Sequence, residues 1–386
     1  MITLSWKDYP ELYDDDSLVQ QTEFEPAVEQ NDSHILIRGD NYPVLKKIKN
    51  IYKESVDLIY IDPPYNTGND FTYNDDFANG GDRHSAWLSF MQRRLSAARP
   101  LLKKSGCIFI AIDQSELYTL KLLCDQIFGE ENFVNDFMWL HGKGKKDRWS
   151  RTLQQHTLCY AADKKNLKPF REVEETEWAT RNADNDSRGN WFSGSISFTE
   201  KRSNPNHKNY YSIVSPSGKV WTRQWQTDRE SMEKLIADNR IYWGAAPDYD
   251  KVPRVKIFNG AESEVIPRNI IENVETTRAA QHHLDDLLGT KGAFDNPKPV
   301  SLIKHLIEIT CMPNDALIMD FFAGSGTTFE AVCELNASDD GSRRTILVQK
   351  DENNIFELCK KRCEKIAAQY DCKLKLIDFP CKNSTQ

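Results

Sequence analysis

The sequence predicts an α/β protein with an open sheet covered by helices on both faces. Short runs such as "VDLIYID" and "CIFIAID" are almost continuously apolar, as is usual for parallel strands that are buried on both faces. These runs alternate with amphipathic helical segments. The alternation stops near residue 171 and resumes after residue 285, and 386 residues suffice for a large domain that contains an inserted one.

The predicted domains follow from this pattern, with residues 1–33 as an N-terminal extension. Residues 34–171 hold the first half of the sheet, with strands in "HILIRGD", "VDLIYID", "CIFIAID", "FVNDFMWLH" and "HTLCYAADK". An amphipathic helix is expected over 84–105, where apolar residues recur at three- and four-residue spacing. Residues 172–285 form the predicted insertion, and residues 286–386 complete the sheet with "ALIMDFF", "RTILVQK" and three helices.

The composition is that of a soluble, cytoplasmic protein without a membrane partner. The net charge of −8 argues against coating nucleic acid by charge alone. No apolar run reaches the ~18–20 residues of a membrane span, and the N-terminus lacks the basic start and apolar core of a secretory signal. The nine cysteines include no CxxC pair, so reduced thiols are expected.

We expect no metal site from the spacing of the cysteines and histidines. Cys359 and Cys363 are spaced for one face of a helix, and no further ligands lie near them in the sequence. Two buried helix thiols are therefore the simpler interpretation. His282 and His283 are likewise expected at the surface, not on a metal.

The segment "DFFAGSGTT" (320–328) predicts a strand, a glycine turn and a helix. Glycines let a ligand approach the backbone, and the N–H groups at a helix N-terminus bind a carboxylate or phosphate. The segment is not a Walker loop, since no lysine follows the last glycine, and Phe329 stands where GxGxxG has its third glycine. A ligand site and a tight turn without a ligand both remain open.

The segment "DPPY" places Asp62, Pro63, Pro64 and Tyr65 at the end of a predicted strand. Proline fixes φ, lacks an N–H and extends the residue before it. The Asp62 carboxylate and the Pro63 carbonyl then form two rigid acceptors beside an aromatic ring. Such a surface suits the exocyclic amino group of a planar heterocycle, because two acceptors can draw its hydrogens out of plane and make the nitrogen nucleophilic. The alternative is that these residues are only the proline-rich end of a strand, followed by a surface tyrosine, and bind no ligand.

"DPPY" upstream of "FxGxG" resembles the amino-methyltransferases that use S-adenosylmethionine, in the circularly permuted order. The segments "LIYIDPPYNTGNDFTYNDDF", "HSAWLSFMQRRL", "FGEENFVN" and "FDNPKPVSLIKHLIEI" are similar to the modification (Mod) subunits of type III restriction–modification systems. This resemblance covers most of 34–170 and 294–350. It implies a Rossmann-like methyltransferase sheet in which residues 172–285 form an inserted target-recognition domain.

The resemblance also implies a reaction, methyl transfer to adenine N6 of a base flipped out of double-stranded DNA. The cytosine-N4 relatives usually have serine in place of Asp62. Asp62, Pro63 and Tyr65 would hold the adenine. The residues implied at the S-adenosylmethionine site are Asp40, Lys298, Asp320, Phe322, Gly324, Ser325, Gly326, Thr327, Thr328 and Gln349.

Two of the implied cofactor residues have alternatives. Asp40 could instead cap the helix that starts in "NYPVLKK", a role that does not exclude a ligand contact. Gln349 stands where many relatives have an acid that binds the ribose hydroxyls, so either Gln349 or Asp351 is the candidate for that contact.

The expected DNA contacts lie in a locally basic strip over 140–171. Its phosphate-binding candidates are Lys143, Lys145, Lys146, Arg148 and Arg151. A solvated loop is the alternative interpretation. The Trp-, Arg- and Asn-rich segment 185–255 is the candidate for reading bases, although "NWF", Trp221, Trp225 and Trp243 could equally form a small core.

The predicted function is the modification component of a type III system, with DNA, a restriction (Res) subunit and a second copy of the chain as partners implied by the resemblance. The alternatives are a solitary DNA adenine methyltransferase and a methyltransferase for cytosine N4 or RNA. A non-enzymatic subunit that docks DNA for a nuclease is a third, although an idle site would have no need of Asp62 and the glycines.

Overall fold

The computed structural model describes most of the chain, namely residues 4–6, 33–68, 75–77, 82–142, 148–175, 179–260 and 262–379. The chain forms two units, of which the larger combines residues up to Arg171 with those from Pro267 onward. The smaller unit is Glu172–Ile266. It ends before residue 285, the expected boundary, because Ile270–Ile271 pairs as a strand with the sheet of the larger unit.

The first part of the larger unit alternates strands and helices. Its elements are β1 (Ser33–Arg38), α1 (Asn41–Ile48), β2 (Val56–Ile61), α2 (Arg83–Ala98), β3 (Leu102–Ile112), α3 (Leu117–Phe128), β4 (Phe133–Leu140) and β5 (Gln154–Ala161). The helix α2 is shorter than the expected 84–105. A short 3-10 turn over Arg99–Leu101, with Pro100 in it, ends the helix and leads directly into β3.

The smaller unit is built from short strands and one helix. Its elements are β6 (Glu172–Glu175), β7 (Trp191–Ser195), β8 (Tyr210–Val214), β9 (Val220–Gln224), α4 (Arg229–Ala237), β10 (Ile241–Tyr242), β11 (Arg254–Phe258) and β12 (Glu262–Val265). Trp225 and Trp243 lie in a hydrophobic core here, and Trp221 packs against it. These tryptophans therefore hold the unit together, one of the two roles that the sequence left open.

The second part of the larger unit completes the sheet. Its elements are β13 (Ile270–Ile271), α5 (Thr277–Leu288), α6 (Val300–Glu308), β14 (Leu317–Asp320), α7 (Thr327–Asp339), β15 (Arg344–Gln349), α8 (Ile355–Gln369) and β16 (Lys373–Asp378). Among the described residues, nine strands form one sheet in the order β13-β4-β5-β3-β2-β14-β15-β1-β16. The sheet is mixed, not purely parallel, because β5 runs antiparallel to both of its neighbours.

Helices cover both faces of this sheet, as the apolar strands predict. On β2, Ile59 and Ile61 pack into one hydrophobic cluster with α1, α2 and α3. Leu58 and Tyr60 point the other way and pack with α6 and α7. Burying each large apolar side chain stabilises the fold by roughly 1.5–3 kcal/mol. Within the described ranges, no helix is long and apolar enough to cross a membrane.

The sheet topology brings the two sequence motifs together. The strands β2 and β14 are parallel neighbours, with Leu58 opposite Ile318 and Ile59 opposite Met319. In the sheet, the next strand along the chain after β2 is its neighbour β3, which lies on the side away from β14. The next strand after β14 is its neighbour β15, which lies on the side away from β2. A crevice therefore opens at their carboxyl ends, the usual ligand site of such sheets. "DPPY" follows β2, and the glycine turn follows β14.

Asp57, at the start of β2, ties these two central strands together. Its buried carboxylate accepts hydrogen bonds from the Leu317 N–H of β14 at 2.9 Å and from the Lys103 ammonium at 2.8 Å. The substitution Asp57→Ala leaves both donors without this partner, so we expect it to lower the free energy of unfolding by about 2 kcal/mol.

Urea unfolding of the purified protein measures this change. The matched control is Asp315→Ala, at an exposed position, which we expect to leave stability almost unchanged. Equal stabilities of the two variants would contradict the role of Asp57.

Candidate active site

A pocket of ≈ 660 Å³, its open mouth included, lies at the carboxyl ends of β2 and β14. Asp62 and Pro64 line it from one side, and Phe322, Gly324 and Thr327 from the other. The two motifs that the sequence singled out therefore share one cavity within the larger unit.

The Asp62 carboxylate is held by two donors. The Tyr65 hydroxyl donates to Oδ1 at 2.7 Å, and the Lys298 ammonium lies 2.8 Å from Oδ1 and 2.7 Å from Oδ2. Lys298 is buried and also lines the pocket, so the structure places it on the DPPY motif as well as beside the expected cofactor site. The two donors together fix the orientation of the carboxylate.

Trp87, on α2, binds the backbone of the DPPY motif. Its indole Nε1, fully buried on α2, donates to the Pro64 carbonyl at 2.7 Å. This contact uses the Pro64 carbonyl and fixes the direction of the chain between Asp62 and Tyr65. The sequence placed Trp87 on the apolar face of a helix, where nothing distinguished it from an ordinary core residue.

The chain after Tyr65 is clamped by two buried acids. The N–H groups of Asn66 and Thr67 donate to the two oxygens of Asp75, each at 2.9 Å. The Asn66 amide donates to Glu116 at 2.6 Å, and Asn66 has a positive φ of 59°. These bonds hold the loop on one path beside the pocket. Neither acid was identified from the sequence: Asp75 lies unremarked in the Mod-like segment that starts at Leu58, and Glu116 belongs to no motif.

Asp320 organises the glycine turn from inside the protein. Its Oδ1 accepts from the Phe322 N–H at 3.0 Å, and its Oδ2 accepts from the Thr328 hydroxyl at 2.5 Å. Burial raises the pKa of Asp320 to about 7, and the charge of Asp62 acts in the same direction. Asp320 therefore shapes the turn and also lines the pocket itself.

The two glycines of the turn are required by backbone conformation and space. Gly324 and Gly326 have φ of 53° and 85°, where other residues are strained. A Cβ on Gly326 would lie 3.1 Å from the Cys363 sulfur and 3.2 Å from the Cys359 sulfur. These thiols are buried on α8 beneath the turn, which explains their helical spacing without a metal.

Arg362 supports the turn from behind and was not identified from the sequence. Its buried guanidinium donates to the hydroxyls of Ser325 and Thr327, each at 2.9 Å, and to Glu330 at 2.7 Å. Thr327 lines the pocket, whereas Ser325 is not among the lining residues. The only signal in the sequence was an arginine in the apolar stripe of a helix. His283, half-exposed, contacts Glu330 at 2.6 Å.

Three further residues were candidates for the cofactor. The Asp40 carboxylate caps α1 by accepting from the Tyr42 N–H at 2.9 Å, and Asp40 does not line the pocket. Its contact with a cofactor stays a prediction. Gln349 lines the pocket and accepts from the Gly324 N–H at 2.8 Å. Asp351 pairs with Arg38 instead, so Gln349 is the better placed of the two ribose candidates.

Tyr60 gives a test of whether the pocket suits a bound group. Its hydroxyl is buried in the pocket wall and has no hydrogen-bond partner among the described residues. Burial raises its pKa, as do the charges of Asp62 and Asp320. An unpaired buried hydroxyl costs about 1–3 kcal/mol. The aromatic wall of Phe294 and Phe322 completes a site that fits a ligand with a planar ring and polar groups.

The basic segment follows β4, whose carboxyl end lies at the same edge of the sheet as Asp62. Arg148 and Arg151 are exposed there, whereas the three lysine candidates lie outside the described residues. Trp149 is 84% exposed, with the Arg148 guanidinium 4.9 Å from its ring. Burial and the nearby charge of Lys298 lower the pKa of His141, at the start of this segment.

Several known proteins resemble this chain. The Mod subunit of the type III restriction-modification enzyme StyLTI from Salmonella typhimurium is 33% identical over 91% of this chain and 60% of its own length. The EcoPI Mod subunit of Escherichia phage P1 is 34% identical, over 87% of this chain and 62% of its own. The chain thus spans about three fifths of these Mod subunits.

A shorter relative and a family model complete the comparison. The type II methyltransferase M.KpnI of Klebsiella pneumoniae is 31% identical over 81% of this chain and 79% of its own length. A family model described as DNA methylase matches residues 56–366, which include both motifs and the pocket. On this match and the shared identity, the chain belongs to the DNA methylase family.

Proposed function

We propose that this chain is a site-specific DNA methyltransferase that moves a methyl group from S-adenosylmethionine to adenine N6 in double-stranded DNA. The observation that carries the proposal is the shared pocket, in which the Asp62 carboxylate faces the glycine turn after β14. Membership of the DNA methylase family supports the same reaction. Aspartate rather than serine at position 62 favours adenine over cytosine.

Asp62 would act on the amino group of the target base. Its carboxylate, partly exposed in the pocket, can accept a hydrogen of that group and take the proton that the nitrogen loses. Lys298 and Tyr65 hold the carboxylate in one orientation. Such preorganised groups stabilise the transition state more than the bound base.

The cofactor would occupy the other end of the pocket. Bound S-adenosylmethionine supplies a methyl group on a positively charged sulfur. Phe322, Gly324 and Thr327 would hold it from the glycine turn, Gln349 from β15, and the unpaired Tyr60 hydroxyl offers a further polar contact. The turn is held in shape by its hydrogen bonds to Asp320, Gln349 and Arg362, so it is ready for a ligand before one binds.

The DNA contacts belong to the same proposal. The target base must leave the duplex to reach Asp62. Arg148 and Arg151, exposed at the sheet edge of the pocket, are the described candidates for phosphate contact. We assign target recognition to the smaller unit, Glu172–Ile266, because its separate core can carry variable surface residues without disturbing the catalytic sheet.

Substitution of Asp62 tests the reaction and its substrate together. In a host without DNA methylation, the wild-type chain is expected to produce N6-methyladenine at one short motif, detected by single-molecule sequencing. With Asp62→Ala we expect a loss of at least roughly a hundredfold, since a preorganised catalytic group is removed. Asp315→Ala, far from the pocket, is the control and should keep the activity.

Other outcomes of this experiment distinguish the alternatives. N4-methylcytosine, or methyl groups in RNA alone, would overturn the proposed substrate. DNA binding by a folded protein that transfers no methyl group, even with S-adenosylmethionine bound, would favour a recognition subunit.

Two variants of Tyr65 separate its hydroxyl from its ring. Tyr65→Phe removes the hydrogen bond to Asp62 and is expected to lower kcat roughly tenfold. Tyr65→Ala also removes the aromatic face and is expected to weaken binding of the target base by roughly a further tenfold. Steady-state kinetics on a DNA duplex measures both effects. Equal kinetics for the two variants would contradict a role of the ring.

We further propose that the chain works as the modification subunit of a type III system in the cytoplasm, with a restriction subunit and a second copy of itself as partners. The names of the Mod relatives support this assignment. Light scattering on the purified protein is expected to give a dimer, and its marks are expected on one strand of an asymmetric site. A monomer that is fully active would contradict the dimer.

A further inference from the structure

A cluster of two thiols and an imidazole lies near the amino ends of the parallel strands, whereas the pocket lies at their carboxyl ends. His34 is at the start of β1, Cys333 is on α7, and Cys372 directly precedes β16. The two sulfur atoms are 3.6 Å apart. One nitrogen of His34 and both sulfurs lie within 4.8 Å of one another. The proposed function uses none of the three residues.

The three residues differ in their access to solvent. His34 and Cys333 are buried, with 3% and 2% of their surfaces exposed. Cys372 is only partly buried and lines a cavity beside His34. A small reagent can therefore reach Cys372 first, with Cys333 directly behind it.

The imidazole is held in one orientation. Its Nδ1 lies 3.0 Å from the Thr345 hydroxyl and 3.2 Å from the Thr345 N–H. The Phe329 ring packs edge-on against it, with ring centres 4.9 Å apart. The ring also hydrogen-bonds the Cys372 sulfur.

These contacts give the two thiols different chemistry. Hydrogen bonds from Cys333 and, after it, from His34 lower the pKa of Cys372. The bond to Cys372, together with burial, raises the pKa of Cys333. The charged groups around the cluster are Asp315, Arg343, Arg344, Asp371 and Lys373 at the cavity and Glu330 and Glu334 on α7. The direction of both pKa shifts and the greater exposure of Cys372 make it the more acidic and more accessible thiol of the pair.

The number of ligands disfavours a structural metal ion. A structural zinc site takes four protein ligands, and the described residues supply three here.

We propose that Cys372 and Cys333 form a peroxide-sensitive pair that closes to a disulfide. The Cys372 thiolate attacks one oxygen of a hydroperoxide such as hydrogen peroxide, the O–O bond breaks, and hydroxide leaves as Cys372 becomes a sulfenic acid. The Cys333 thiol then attacks this sulfur, and its proton leaves with the sulfenic oxygen as water. Two thiols are oxidised, and one hydrogen peroxide is reduced to two waters.

The bond would join two elements, α7 and β16, that lie far apart along the chain. β16 is an edge strand that pairs only with β1 in the described sheet. The disulfide ties the start of this strand to α7, whose first turn lines the pocket. Oxidation is therefore expected to raise the unfolding temperature of the protein.

The test uses the full chain, treated with hydrogen peroxide, alkylated and digested for mass spectrometry. We expect a reducible peptide pair that joins Cys333 to Cys372, with the loss of two hydrogens in the intact mass. Cys333→Ser and Cys372→Ser should each abolish it. Cys311→Ser removes an exposed cysteine outside the cluster and is the matched control that should leave the link intact.

A second measurement tests the role of His34 and does not depend on the serine variants. In wild-type protein the alkylation rate of Cys372 should change little between about pH 6 and pH 8, because the thiolate is already formed. In His34→Gln it should rise about tenfold per pH unit, as for an ordinary thiol.

Two outcomes would overturn the proposal. One is peroxide oxidation at Cys311 or elsewhere with Cys333 and Cys372 still unlinked. The other is one equivalent of zinc that co-purifies with the wild-type chain and is lost in Cys372→Ser, which would make the cluster a metal site.

Discussion

The parallel pairing of β2 with β14 is the interaction on which the rest of the site depends. The two strands are separated by more than half of the chain, yet Leu58 and Ile59 lie opposite Ile318 and Met319. Parallel neighbours end at the same edge of a sheet, so the residues that follow them must face one crevice. A slip of one residue would turn every side chain of a strand to the other face, and Asp57 helps to fix the alignment by binding the Leu317 N–H.

Residues from distant segments complete each half of the pocket. Lys298, from the second part of the chain, binds Asp62 in the first part. Arg362 and Gln349 support the glycine turn from α8 and β15. Charged side chains persist inside a protein only when they are paired, and removing one partner leaves the other uncompensated. The pocket therefore forms only when the chain is folded, because each motif needs side chains from distant segments to hold its conformation.

The direction of the parallel strands explains why the pocket and the thiol cluster lie at opposite ends of the strands. Parallel strands direct their carboxyl ends, with the loops that follow, to the pocket. Their amino ends gather His34 with Cys372, which precedes the edge strand, and α7 extends from the glycine turn until Cys333 reaches the same place. One helix thus contacts the pocket at its start and the thiol cluster further along.

The sequence by itself determined the α/β class, the positions of β2 and β14, and the two motifs. These features are local: apolar periodicity, the rigidity of proline and the positive φ that glycine allows act within a few residues. Where the sequence placed a helix over 84–105, it was wrong only about the end, which Pro100 sets.

Only the tertiary structure decided the direction of β5, the edge strand β16 and the boundary at Ile266. It also selected Trp87, Glu116 and Arg362, which the sequence left as ordinary residues of helices and loops. Each of these acts on a group far away along the chain. The direction of a strand and the partner of a buried charge depend on what packs beside them, and no local pattern of residues encodes that.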